Sequence, residues 1–206
     1  MPVRRDGFSA GLANPATSNY GRRETVIRGG RPVEDAGDRF QDVHSDVDLI
    51  LAEGGAFDEA APKVLRTLCE GLGWNVGIAW RFDDSDRVLR FVASWRHPSG
   101  PMTQLEKLSE RSTLSPGVGL PGRILAAGEP ACITDVQRDR GFPRSSAAME
   151  DGIHGAVGFP LIRDWTVVGV IELFSKEAKE PDEELLIAVA QLGLQLGGLL
   201  ADERRT

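Results

Sequence analysis

The feature that most constrains this chain is the run HGAVGFPLIRDWTVVGVIELFS, residues 154–175. It divides at Asp164-Trp165 into two segments of strand length, each rich in β-branched and aromatic residues. The first carries Val157, Phe159 and Leu161; the second carries Val168, Val170 and Phe174, with Val167, Ile171 and Leu173 on the opposite parity. Apolar residues on both parities mean a strand covered on both faces, so this hairpin belongs in the middle of a sheet. With Asp164-Trp165 as a two-residue loop, Arg163 pairs with Thr166, Phe159 with Val170 and Val157 with Glu172. Glu172 is the oddity. An unpaired carboxylate buried there would cost several kcal/mol or raise its own pKa. It calls for a ligand or for a partner within the protein such as Arg144, and the internal partner is the simpler reading.

The rest of the chain supplies what such a hairpin needs around it. Residues 1–37 are rich in Gly, Pro, Ser and Arg with scattered apolar residues, and they read as a disordered tail. The pairs Arg4-Arg5 and Arg22-Arg23 fit a solvated tail before they fit an acidic partner. Phe40, Val43, Val47 and Ile50 then mark one stripe of a helix ended by Gly54-Gly55. A second helix over 58–72 takes Asp58 as its N-cap and buries Val64, Leu65, Leu68 and Cys69. WNVGIAWRFD puts Val76, Ile78, Trp80 and Phe82 on one face, with Gly77 and Ala79 leaving room on the other for a helix or a ligand. The helix is the plainer occupant. After the DDSDR turn, Leu89, Phe91, Ala93 and Trp95 alternate along a return strand.

Residues 104–111 read as a short polar helix and 113–119 as a loop. GVGLPG misses both the GxxxxGK[ST] and the GxGxxG patterns, so it reads as a turn and helix start burying Leu120, Ile124 and Leu125. Residues 131–135 form a short strand holding Cys132 inside, and 135–152 lack a long apolar run. The final helix starts near Pro181 with acidic residues at its positive end. Leu185, Val189, Leu192, Leu196 and Leu199 make a heptad seam along it, and Leu186, Leu194 and Leu200 a second apolar set, with Gly193 and Gly197 between. One stripe covers the sheet. The other is expected to meet a second copy in a parallel homodimer that Leu196→Glu would break, with the two glycines letting the backbones approach.

Composition closes several functional classes. A net charge of −7 argues against a nucleic-acid partner. The first residues lack the apolar core of a signal peptide, and the apolar tract from Leu185 to Ala201 is broken by Gln191 and Gln195, so no membrane segment is expected. Cys69 and Cys132 have no CxxC spacing and suit reduced thiols, which points to a soluble cytoplasmic protein. His44, His97 and His154 are scattered, and no nucleophile motif or carboxylate pair stands out; no catalytic and no metal-ligating residue is expected.

The hairpin, the PDEELL after it and GVGLPGRILAAGEPACITDV upstream together resemble a GAF domain, of the kind that precedes output domains in bacterial signalling proteins such as histidine kinases. The resemblance runs from about Phe40 to Arg204 and divides the chain into a tail, 1–37, and a domain, 38–206, that includes both terminal helices. It implies an α+β fold of the GAF and PAS-like type. A central antiparallel sheet of five or six strands would carry the terminal helices on one face and a lidded pocket on the other. The lid would be residues 135–153, with Phe142, Met149 and Ile153 pointing inward. Trp95, Phe142, Met149, Ile153, His154 and Glu172 are the ligand-binding residues it implies.

The resemblance names neither the small ligand nor any cofactor. It implies a sensory module passing a signal through its terminal helices to an output domain, with a ligand-free dimerisation scaffold and a haem-binding or redox-sensing domain as alternatives. GAF-fold methionine sulfoxide reductases use cysteines in the pocket loops, and bilin-binding members use one on the lid; these loops contain none. Haem-binding members use a lid histidine where Met149 and Glu150 stand here, so His154 reads as a hydrogen-bonded structural residue. The cyclic-nucleotide signature is matched in part by Ser175-Lys176 and Asp182-Glu183 but lacks its phenylalanine. Lys176 and Asp182 read instead as a surface ion pair.

Overall fold

The computed structural model describes residues 27–28, 31–32, 36–97, 103–180 and 182–198. Most of the expected tail lies outside these residues, as do Pro181, Leu199 and Leu200. The chain divides at residue 35; in the first unit the described β1 (Ile27–Arg28) and β2 (Arg31–Pro32) pair antiparallel. Residues 35–206 form the other, which carries the remaining elements.

The larger unit is built on six antiparallel strands: β3 (Val76–Asp83), β4 (Val88–Arg96), β5 (Thr113–Leu114), β6 (Ala131–Ile133), β7 (Gly155–Arg163) and β8 (Thr166–Ser175). Their order across the sheet is β5-β4-β3-β8-β7-β6, so β3 and β8 are central, and β5 is an edge strand inside the stretch read as a loop. The β7–β8 hairpin turns at Asp164 and Trp165, both at positive φ, and Arg163 pairs with Thr166. Beyond Ile162 the expected register slips by one residue. Val168 is extra in β8, so Phe159 faces Ile171, Val157 faces Leu173 and Gly158 faces Glu172.

A second bulge makes Val92 extra in β4, between the pairs Ala79–Ala93 and Trp80–Phe91. Leu89 and Phe91 thus face one layer while Ala93 and Trp95 face the other. The unbroken alternation read from Leu89 to Trp95 is therefore corrected.

One face of the sheet carries α1 (Ala36–Ala52), α2 (Phe57–Leu72) and α6 (Glu183–Gly197). Val43 and Val47 of α1 and Val64, Leu65, Leu68 and Cys69 of α2 are buried there, following the helical spacing. Asp58 is not the N-cap of α2, which begins one residue earlier after Ala56; its carboxylate instead accepts from Arg81 Nη2 at 2.7 Å. Gly77 is filled from the helix side, because a Cβ there would lie 3.0 Å from Cys69 Sγ and 3.1 Å from Leu65 Cδ2.

α6 lies against β7 through the seam Val189, Leu192 and Leu196. Gly193 and Gly197 serve that contact and not one with a second copy: a Cβ would come within 2.1 Å of Pro160 O and 2.0 Å of Ile162 O. Leu196 is core, so Leu196→Glu would unfold the domain before it tested an interface.

The other face carries α3 (Gln104–Glu110), α4 (Gly119–Ala127), α5 (Ser145–Glu150) and the segment 135–153 around it. Leu105, Leu120, Ile124, Val136, Phe142 and Ile153 pack there against Val76, Ile78, Trp80, Val170 and Phe174 of the central strands.

Candidate functional site

The site forms where the segment 135–153 crosses the middle of the sheet. Several contacts hold this lid down. Val136 N donates to His154 O at 2.8 Å, Arg123 Nη2 to Asp139 Oδ2 at 2.7 Å, and Gln137 Nε2 to Ile153 O at 2.9 Å. At its far end the Asp151 carboxylate accepts from Gln104 N and Leu105 N, the first-turn amides of α3, at 3.0 and 2.7 Å. Between these ties Phe142, Ala147 and Ala148 face inward and are buried.

Arg144 enters with them. Arg144 is 1% exposed, and Glu172 beneath it on β8 is 0% exposed. Nη2 of Arg144 donates to both carboxylate oxygens of Glu172, at 2.7 and 2.9 Å, and Nη1 donates to Ser109 Oγ at 2.8 Å. Ser109 in turn donates to Leu105 O at 2.7 Å, which leaves its lone pairs for the guanidinium. Glu172 also accepts from Trp80 Nε1 at 2.8 Å. The guanidinium carbon stands 5.3, 4.9 and 5.8 Å from the ring centroids of Trp80, Phe142 and Phe174. Nε of Arg144 is buried with no hydrogen-bond partner. The centre of the covered face is thus an ion pair in an aromatic box.

A second buried carboxylate adjoins this box on α3. Glu106 closes a capping box with Thr103, accepting from Thr103 N at 2.9 Å, and takes further bonds from Ser94 Oγ at 2.9 Å and Arg96 Nη1 at 3.3 Å. The spacing Thr103-x-x-Glu106 was visible in the sequence, and it was the signal for a helix start that the reading of 104–111 as a polar helix passed over.

Phe142, Ile153 and Glu172 of the expected site residues come together here. Met149 does not; it is 60% exposed, on the outer side of α5. Trp95 is carried to the helix face by the bulge at Val92. His154 stands half-exposed at the lid's edge, with Nδ1 3.2 Å from Asp135 Oδ1 and Nε2 3.3 Å from Gln137 Nε2. Trp80, Ser109 and Phe174 were missed. Only the register that sets Ile78 opposite Glu172 and Trp80 opposite Val170 brings Trp80 beside the carboxylate.

The family-model comparison matches the GAF domain over residues 56–201. The chain belongs to the GAF family. No curated protein matches it. Among solved structures it is similar to the GAF domain from a phosphoenolpyruvate-protein phosphotransferase of Coxiella burnetii, with 19% identity, 82% of this chain and 97% of that one covered, and a TM-score of 0.70. It is also similar to a free methionine-R-sulfoxide reductase from Neisseria meningitidis in complex with its substrate (17% identity, 81% and 90% covered, TM-score 0.66). A third is the A. aeolicus nlh2 GAF domain in an inactive state (20% identity, 78% and 94% covered, TM-score 0.62). At these identities the likeness is one of fold.

A cleft of about 360 Å³ opens elsewhere in this GAF domain, between α1, the end of α2 and the start of α6. Phe40, Leu72, Trp74, Cys132 and Leu185 line it along with Arg39, Lys179, Glu180 and Asp182. Lys179 lies 4.1 Å from the Trp74 ring centroid, and burial lowers its pKa, with Glu177 opposing and Arg39 adding to the shift. Burial first, then the charge of Asp182, pushes the Cys132 thiol up; burial and then Glu70 do the same to Cys69. No group of three or more metal-ligating side chains forms among the described residues. No described helix is long and apolar enough to cross a membrane.

Proposed function

We propose that this GAF domain is a sensory module that binds a small molecule beneath the lid and passes occupancy to a partner or output domain through α1 and α6. The observation that carries the reading is the Arg144–Glu172 pair, a latch between the lid and a central strand. A fully buried ion pair adds little net stability compared with a well-packed apolar pair, so its place at the lid's contact favours a conformational role. The non-enzymatic reading is supported by the two thiols, whose burial disfavours the reactive thiolate, and by a lid without cysteine. Two cysteines without a disulfide fit a reducing, cytoplasmic setting.

The terminal helices form a homodimer in this proposal, through the faces left exposed once the sheet is covered. Ile187 and Leu194 of α6 and Leu49 of α1 are 55, 59 and 67% exposed. Leu194→Glu then replaces Leu196→Glu as the probe, and light scattering should show a dimer that this substitution makes monomeric with the sheet intact.

The function itself is tested by melting the wild-type protein against a library of cationic, anionic and neutral small molecules. A hit that raises the melting temperature and slows amide exchange in both the lid and α6 supports the sensor. No hit, with the lid protected as strongly as β8, would favour a ligand-free dimerisation scaffold.

A further inference from the structure

We propose that the space beneath the lid is a cation-recognition box, and that its ligand carries a guanidinium or substituted ammonium group that takes the place of Arg144. The inference rests on the sensory reading for there being a ligand at all, and it adds the ligand's chemical class. The fixed wall of the box belongs to the sheet and α3: Glu172, the faces of Trp80 and Phe174, and Ser109. The lid contributes Arg144 and Phe142. When Arg144 leaves, the fixed wall keeps a carboxylate and π faces, both of which attract positive charge. An anion entering there would meet Glu172, and a neutral apolar molecule would leave it buried without a counter-charge.

Arg144 is moreover an incomplete occupant. Its Nε is buried without an acceptor. A free cation has no such tether and turns to satisfy each of its donors. Arg144 therefore acts as a built-in stand-in that holds the lid shut, and a ligand has to outcompete it.

The test empties the box. Arg144→Ala is titrated with N-ethylguanidinium, the end of the missing side chain, and with N-ethylurea, an uncharged molecule of similar shape. The expected result is binding of the guanidinium about tenfold or more tighter than the urea, with that preference abolished in Arg144→Ala/Glu172→Gln. Where Arg144→Ala does not fold alone, the same comparison is read as recovery of the near-ultraviolet tryptophan signal on adding each probe. An equal response to both probes, or a response to neither, overturns the cation class. The wild-type library screen separates this from the broader reading. A cationic hit supports both, and a neutral or anionic hit under the lid overturns the class while the sensor stands. A wild-type protein that responds to nothing, with its lid protected as strongly as β8, sinks the sensor and the proposed ligand together.

Discussion

On one face of the sheet α1, α2 and α6 bury a cluster of apolar side chains; on the other, apolar walls close over a guanidinium and a carboxylate. The same strands serve both. Leu173 points into the helix layer while its neighbours Glu172 and Phe174 point beneath the lid. Apolar packing is non-directional and tolerates many partners, whereas a buried ion pair demands one geometry and loses its support when either member leaves. The helix face is a broad apolar layer, and the lid face is centred on one directional contact.

The comparison is tested most severely by Glu172→Ala, which strands Arg144 in the core. The expected loss is about 3–5 kcal/mol, read by urea unfolding. Arg144→Met/Glu172→Leu, which removes both charges, should recover most of that loss. A single substitution costing under about 1 kcal/mol would mean that the pair is solvated and that the lid does not close over it.

Next in size is Leu196→Ala on the helix face, with an expected loss of about 3 kcal/mol from burial and cavity terms. Gly197→Ala should cost about 2 kcal/mol, because its methyl group drives α6 off Ile162 O. No partner substitution of the kind that rescues Glu172 should rescue either. A stable Gly197→Ala protein would place α6 farther from β7 than it stands here.

The elements of both faces were legible from periodicity: the terminal helices and the β3–β4 and β7–β8 hairpins; Arg144, the candidate partner of Glu172, came from the lid that the resemblance implied. What was hidden is where a strand changes face. A bulge adds one residue without any mark in composition, so Val92 and Val168 could not be told from their neighbours, and Trp95 and Phe159 were given the wrong companions. Met149 was hidden differently. α5 is a six-residue helix in a polar stretch, too short for an apolar stripe to show its inner side. Gly193 and Gly197 did signal close approach, but sequence cannot say whether the approaching backbone is a second copy or, as here, β7.

A smaller effect separates the faces dynamically. Lid amides at 135–153 should exchange about tenfold or more faster than those of β8, a difference of ~1.4 kcal/mol in opening. The lid has only a short helix and side-chain ties, while β8 is paired on both sides. Arg144→Ala should widen the gap and, to a smaller degree, speed exchange in α6, as a signal passing from the lid to that helix requires. Equal protection would make the lid a fixed part of the core.

The smallest effect belongs to the turn that joins β7 to β8 and serves neither face. Asp164 and Trp165 have φ of 47° and 62°, left-handed values that cost an L-residue about 1–2 kcal/mol. Glycine is favoured at the second position of such a turn, although its freer unfolded chain returns about 0.5–1 kcal/mol. Trp165 is 100% exposed, so Trp165→Gly gives up no packing within the chain, and a net gain of about 0.5 kcal/mol is expected in urea unfolding. Lid exchange should stay as it was, since the turn lies beyond the bulge at Val168 and touches neither core. Faster lid exchange in this variant would show that register at the hairpin tip reaches the box, and the two faces would have to be treated as one coupled layer. A loss of stability instead, growing with protein concentration, would show that the indole is covered in solution by a second copy.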